Sequence, residues 1–133
     1  MKAVKAHIVK GINRRAKLHV CDNSGAKVIQ VISFKGSKTV RRKIPCGGVG
    51  DFVTASVKKG DPEMRKQVVY AIIVRQRKEY RRYDGTRIKF EDNAAVVLKD
   101  DKGNPKGTII KGPIAKEVAD RWPAVSKLAT IIV

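Results

Sequence analysis

Apolar residues recur along much of the chain with a period of two, which is the pattern of half-buried β-strands. The alternation is clearest after residue 52, where Val53, Ala55 and Val57 are predicted to face inward and the polar residues between them outward. A nearly continuous apolar run over residues 68–74 predicts a fully buried strand. Further strands are predicted at residues 18–21, 28–34, 87–91, 94–99 and 108–111.

Turn sequences separate these strands and favour hairpins. The run Asp22-Asn23-Ser24-Gly25 joins the first two strands, and Asp84-Gly85 is a strong two-residue hairpin turn because both residues tolerate positive backbone dihedrals. Many short strands without alternating strands and helices predict a small barrel rather than a doubly wound α/β fold.

The last part of the chain predicts a short helix. Pro113 suits the first helical position, Pro123 ends the helix, and the apolar stripe consists of Ile114, Val118 and Trp122. Residues 124–133 fit either a helix or a strand. The prediction is a single domain comprising a basic N-terminal arm (1–16), a barrel with loops (17–111) and a C-terminal helical segment (112–133).

Composition sets the class of protein. With 133 residues and 42% apolar residues the chain can form a core, and it contains no apolar run of about 18 residues that would form a transmembrane helix. Residues 1–17 lack the continuous apolar stretch of a secretory signal, which predicts a cytosolic protein. Two cysteines, Cys21 and Cys46, predict reduced thiols in a reducing compartment.

Positive charge is concentrated in segments. The chain has 30 Lys and Arg against 12 Asp and Glu, giving a net charge of +18. Residues 75–89 contain seven basic residues, five of them Arg, and residues 35–43 form a basic loop without an acidic residue. Basic residues occupy both faces of the 75–83 segment, so neither face is predicted to be core. A stiff β-ribbon can hold guanidinium groups at fixed spacing against phosphates, which predicts binding to a polyanion.

The chain has few aromatic residues for reading bases. It contains three Phe, three Tyr and one Trp, and only Tyr80 and Tyr83 interleave with the basic run. Recognition is therefore predicted to rest on the phosphates and shape of structured RNA. Tyr80 either stacks on a base or packs against the hairpin. The predicted RNA contacts are Lys10, Arg14, Arg15, Lys35, Lys38, Arg41, Arg42, Lys43, Arg75, Arg77, Lys78, Tyr80, Arg81, Arg82 and Arg87.

The sequence gives little support for an enzymatic site. The glycines at 47, 48 and 50 lack the Gly-Lys-Ser/Thr of a phosphate-binding loop and precede a strand, which favours a bulge or a tight turn. His19 and Cys21 have no further ligands nearby to complete a zinc site. Ser24 beside Asp22 belongs to a turn. We predict no catalytic residue, no metal and no cofactor.

A spaced pattern resembles a known signature. Ala71-Ile72-Ile73-Val74, Asp84-Gly85, Phe90, Asn93 and Val96-Val97 follow one another at the spacing found in the L-fourteen family of large-subunit ribosomal proteins. Further segments at residues 22–26, 48–51 and 107–113 resemble family segments in the same order, and the likeness covers about residues 17–122.

The resemblance implies a small closed five-stranded β-barrel with a projecting basic hairpin and short C-terminal helices. It implies a structural constituent of the cytoplasmic large ribosomal subunit that binds large-subunit rRNA and contributes to the interface and bridges with the small subunit. The implied partners are neighbouring large-subunit proteins, small-subunit rRNA at a bridge and a factor that blocks subunit joining. In the signature, the basic residues of the hairpin are implied RNA contacts, and Asp84, Gly85 and Asn93 shape turns.

Features outside the signature indicate the origin of the protein, and the residues alone leave two alternative functions open. The long N-terminal arm, residues 59–66 and Trp122-Pro123 resemble archaeal or eukaryotic members and favour an archaeal origin. Two alternatives stay open from the residues alone: a free-standing nucleic-acid binder and a hydrolase at the 47–51 turn.

Overall fold

Short strands dominate the computed structural model, which describes residues 7–133. The strands are β1 (Ile12–Asn13), β2 (Lys17–Val20), β3 (Ala26–Phe34), β4 (Cys46–Gly47), β5 (Phe52–Gly60), β6 (Val68–Arg75), β7 (Tyr80–Arg81), β8 (Arg87–Ile88), β9 (Ala94–Leu98), β10 (Pro113–Ile114) and β11 (Ile131–Ile132). The helices are α1 (Lys116–Arg121) and α2 (Pro123–Leu128). Neither helix has the length and apolar character that crossing a membrane requires, and this holds for all of residues 7–133.

Five strands close into a barrel in the order β2-β3-β5-β6-β9. Four of the neighbouring pairs are antiparallel, and the parallel pairing of β2 with β9, which places His19 opposite Ala94, closes the cylinder. The predicted hairpin of β2 and β3 forms around the Asp22-Asn23-Ser24-Gly25 turn. The mainly β, closed five-stranded barrel and the short C-terminal helices are confirmed.

The core has two parts, one inside the barrel and one outside it. Val53, Ala55 and Val57 of β5 point into the barrel as the alternation predicts. On β6 and β9, alternate residues such as Ile73 and Val97 fill the interior, whereas Ile72 and Val96 pack outside under the C-terminal helices. Two strands are therefore covered on both faces, which explains their continuous apolar runs.

The first half of β6 differs from the prediction of a fully buried strand. Val68 is 63% exposed and Tyr70 is 42% exposed, whereas residues 71–74 are buried. The C-terminal helices cover only the second half of the strand, so an apolar run alone did not reveal where this outer cover ends.

The C-terminal segment also differs in detail. Pro113 lies in β10, which pairs in parallel with β11. The helix α1 ends just before Pro123, as predicted, but Pro123 also begins a second helix, α2. Proline fits both places because the first turn of a helix and the end of a strand need no N–H from it. Ile114, Val118 and Trp122 are buried as predicted, but they do not form a stripe on one helix, because Ile114 lies in β10 and Trp122 lies between α1 and α2. Residues 108–111 form no strand, only an isolated bridge between Ile110 and Asp22.

The basic hairpin exists, but its turn has three residues rather than two. Tyr80 faces Ile88 and Arg81 faces Arg87 in the β7–β8 pair. The Arg82 N–H donates to the Thr86 carbonyl at 2.7 Å and the Gly85 N–H to the Arg82 carbonyl at 3.0 Å. Gly85 takes a φ of +92°, the left-handed conformation that ends such a three-residue loop.

The two cysteines are free thiols in different surroundings. Burial raises the pKa of Cys21 to about 11, whereas Cys46 is half-buried. The thiolate is the reactive form, so we expect iodoacetamide at neutral pH to alkylate Cys46 in the native protein and Cys21 only after unfolding. Peptide mapping by mass spectrometry checks this. Equal labelling of both thiols in the folded protein would contradict it.

Candidate nucleic-acid interface

The basic loop, residues 35–43, joins β3 to the segment before β4 and contains no strand or helix. All five of its cations are exposed, namely Lys35, Lys38, Arg41, Arg42 and Lys43. Within residues 7–133 none of these cations forms an ion pair. The Lys35 backbone N–H donates to the Phe52 carbonyl at 3.0 Å and its ammonium lies 4.9 Å from the Phe52 ring centroid, which anchors the loop to the barrel. The predicted exposed basic loop is confirmed.

The described part of the N-terminal arm connects this loop to the hairpin. The Arg14 N–H donates to the Pro45 carbonyl at 3.1 Å, just beyond the basic loop. At the other end of the arm, a Cβ added to Gly11 would lie 2.5 Å from the Cβ of Lys78, so the arm runs directly against the hairpin base. The predicted contacts Lys10, Arg14 and Arg15 are exposed. Residues 1–6 of the predicted arm lie outside the described residues.

The hairpin, residues 77–89, carries the third group of exposed cations. These are Arg77, Lys78, Arg81, Arg87 and Lys89. Arg87 lies 3.8 Å from Glu79, but both side chains are at least half exposed, so this pair contributes little and leaves the guanidinium available. Loop, arm and hairpin base thus form one connected basic surface, which we call the basic surface.

Three predicted contacts belong to the interior instead, and Arg75 is the first. Its side chain donates to the two carboxylate oxygens of Asp92 at 2.8 and 3.2 Å and to the carbonyls of Lys111 and Pro113 at 3.1 and 2.9 Å. Arg75 is only 9% exposed. The expectation that neither face of this segment is core is wrong here, because Asp92 and two carbonyls satisfy the guanidinium from within the protein.

Tyr80 and Arg82 are the other two predicted RNA contacts that belong to the interior. Tyr80 is fully buried, and its hydroxyl donates to Glu117 of α1 at 2.8 Å. The Arg82 guanidinium donates to the other Glu117 oxygen at 2.9 Å and also to the carbonyl of Val133. Burial raises the pKa of Tyr80, and its hydrogen bond to Glu117 adds to this effect. Tyr80 packs inside the protein, so it is not available for stacking on a base.

Sequence reasoning missed the side chains that hold the hairpin in place. Gln76 is fully buried, accepts from the Val49 N–H at 3.0 Å and donates to the Val9 carbonyl at 3.0 Å. Together with Glu117 and Asp92 it joins the hairpin base to the arm, to the 47–51 turn and to the C-terminal segment. No local pattern indicated these roles, because the hydrogen bonds that Gln76, Glu117 and Asp92 make to these segments join residues 17 to 67 positions apart in the chain.

The comparisons with known proteins agree with this architecture. A family model described as ribosomal protein L14p/L23e matches residues 11–133, nearly the whole chain. The chain belongs to this family. It is 57% identical over 132 residues to the large ribosomal subunit protein uL14 of Methanococcus maripaludis, covering 99% of both chains. It is 56% identical over 133 residues to the protein of the same name from Nanoarchaeum equitans, covering 100% of both chains. These relatives are archaeal, in line with the arm and the Trp122-Pro123 ending.

The family segments recognised in the sequence have structural roles in this L14p/L23e member. Asp22 accepts from the Val97 N–H at 2.7 Å, and Asn23 accepts from the Thr108 N–H at 2.8 Å. Asn93 accepts from the Arg77 N–H at 2.8 Å, so it shapes the chain as predicted. These contacts explain why segments distant in sequence belong to one pattern.

The 47–51 turn is structural, as membership of a ribosomal protein family that has no enzymatic activity requires. Asp51 accepts from the Gly48 N–H at 2.9 Å and pairs with Arg121 at 3.4 Å. The turn leads into β5 rather than a helix, which confirms the expected tight turn. Membership of a structural ribosomal protein family removes the hydrolase alternative.

Proposed function

We propose that the chain, a structural protein of the large ribosomal subunit, binds large-subunit rRNA through the basic surface. The proposed contacts are those predicted residues that are exposed in the loop, the arm and the hairpin: Lys10, Arg14, Arg15, Lys35, Lys38, Arg41, Arg42, Lys43, Arg77, Lys78, Arg81 and Arg87. Arg75, Tyr80 and Arg82 leave the predicted set, since their polar groups already have partners inside the protein. The observation that carries the proposal is the connection of loop, arm and hairpin base into one surface of exposed cations, of which only Arg87 has an ion-pair partner within the described residues, the exposed Glu79.

The barrel contributes rigidity. Closed sheets and a core that continues beneath the C-terminal helices hold both basic elements on one support. Backbone segments anchored on a rigid support lose less conformational freedom when their cations bind phosphates. The bound cations neutralise RNA helices that pack together around them. This is the role expected of a structural constituent of a ribonucleoprotein.

The finer partners follow from the family resemblance and are part of the same proposal. The basic surface contributes to the interface and bridges with small-subunit rRNA. Neighbouring large-subunit proteins and a factor that blocks subunit joining contact the protein as well. Exposed apolar residues at the C-terminus support a protein-binding face there, namely Ile131, Ile132 and Val133.

The test is the salt dependence of binding to protein-free large-subunit rRNA from Methanococcus maripaludis. With about eight phosphate contacts, log affinity falls with log salt at a slope of roughly −6 to −7 because binding releases counterions. Replacing Arg41 and Lys43 by Gln reduces the steepness of the slope by about 2. A slope near zero for the wild type would refute RNA binding by this surface.

A matched double variant provides the control. Lys58 and Lys59 are exposed at the end of β5 that lies farthest along the strand from Phe52 and the basic loop. Lys58→Gln with Lys59→Gln removes the same charge and leaves the slope unchanged. Equal losses in the two double variants would mean that net charge, rather than the basic surface, governs binding.

A further inference from the structure

The tip of the hairpin presents an aromatic ring to solvent. Tyr83 is 83% exposed, whereas Tyr80, three residues earlier in the same hairpin, is fully buried. Tyr83 occupies the first position of the three-residue turn, and among residues 7–133 no hydrogen bond to its side chain is present. Most of the Tyr83 side chain is therefore open to a ligand.

The turn beneath the ring is rigid. Besides the two backbone hydrogen bonds of the turn, Asp84 accepts from the Thr86 N–H at 3.0 Å and from the Thr86 hydroxyl at 2.7 Å. The base of the hairpin is clamped to α1 through Glu117. A tyrosine has only two side-chain torsions, so fixing this ring against a ligand costs little conformational entropy.

The charges around the ring indicate the chemistry of that ligand. Arg81 and Arg87 face each other across the strands just below the turn, and both are exposed. The one acidic residue of the turn, Asp84, is engaged by Thr86. An exposed aromatic ring, at the tip of a hairpin whose last strand pair carries two exposed arginines, suits a planar group with negative charges next to it. A nucleotide within an RNA strand is such a group.

We propose that Tyr83 stacks on an unpaired base of rRNA while Arg81 and Arg87 contact the phosphates on either side of it. The inference rests on the proposed function and makes it more specific. The hairpin tip binds where RNA has an unstacked base, in a loop or a bulge, since the bases of a regular duplex are not open to stacking. Recognition then includes one base as well as phosphates and shape.

The experiment compares ring variants in binding to the same protein-free rRNA. Tyr83→Leu keeps an apolar side chain without a π-face and weakens affinity roughly 5- to 150-fold, the range for one base stack. Tyr83→Phe keeps wild-type affinity. Because Tyr83→Leu removes no cation, the salt slope stays as in the wild type. Ultraviolet cross-linking followed by mass spectrometry places a nucleotide adduct on Tyr83 in the wild type.

Tyr70→Leu is the matched control, because Tyr70 is the other exposed tyrosine and lies on the barrel wall. Wild-type affinity of Tyr83→Leu, an equal loss in Tyr70→Leu, or adducts only at other residues would overturn the stacking role. If the stacking role were overturned but Arg81→Gln and Arg87→Gln still reduced the steepness of the salt slope, rRNA binding by the basic surface would stand without stacking by Tyr83. Absence of salt-dependent binding by the wild type would instead overturn the proposed function itself.

Discussion

Arg82→Glu is expected to lower the free energy of unfolding by about 3–5 kcal/mol, the cost of breaking a buried ion pair by removing one partner. Glu117 and Arg82 have side chains only 6% and 17% exposed, so little water screens the pair. The substitution would place a second carboxylate beside Glu117 and leave Tyr80 bonded to an unpaired charge. Urea denaturation followed by circular dichroism measures the loss.

The neighbouring position provides the control. Arg81→Glu makes the same charge change one residue earlier, at an exposed side chain whose cross-strand neighbour is Arg87. It leaves the urea midpoint close to that of the wild type and weakens rRNA binding. Equal stability of the two variants would show that the Glu117 contacts do not hold the hairpin. The burial of Tyr80 and the Arg82–Glu117 ion pair correct the expectation that both faces of the hairpin lie outside the core.

Ile73→Asp is expected to abolish cooperative folding. Ile73 is fully buried inside the barrel, so an aspartate there would lose its hydration without gaining a partner. The expected cost is about 4–5 kcal/mol or more, a large share of the stability of a domain of this size. Thermal unfolding by circular dichroism should show no sharp transition.

Two further substitutions separate charge burial from other effects. Ile73→Val removes one buried methylene and lowers the free energy of unfolding by about 0.5–1.5 kcal/mol. This variant is therefore expected to unfold cooperatively. Ile109→Asp introduces the same carboxylate at a position that is 55% exposed and changes stability by about 0.5 kcal/mol or less. A sharp transition in Ile73→Asp near the wild-type temperature would contradict the placement of Ile73 in the barrel interior.

Much of the architecture was predictable because its signals are local. Alternation along β5 follows from the pleat of a strand, and the turn chemistry at residues 22–25 and 84–85 follows from backbone dihedrals. Ile114, Val118 and Trp122 are buried as predicted, although Ile114 lies in β10 rather than in a helix. Their apolar side chains indicated the core even where the element was wrong.

The candidate site was predictable only in part. The basic loop at residues 35–43 was identified correctly as exposed because it lacks both apolar periodicity and acidic partners. Within residues 75–89, arginines with identical chemistry separate into interior and surface groups. Arg75 and Arg82 are bound to Asp92 and Glu117, which lie 17 and 35 residues further along the chain.

The amino-acid sequence by itself determined the barrel, the excess of positive charge and the segments that carry it, since strand periodicity and charge density are properties of neighbouring residues. Tertiary structure alone decided which cations remain free for RNA and which tyrosine reaches solvent. Those outcomes depend on carboxylates and carbonyls brought close by folding. Desolvation makes an unpaired guanidinium costly inside the protein, so each cation ends either with an internal partner or in water.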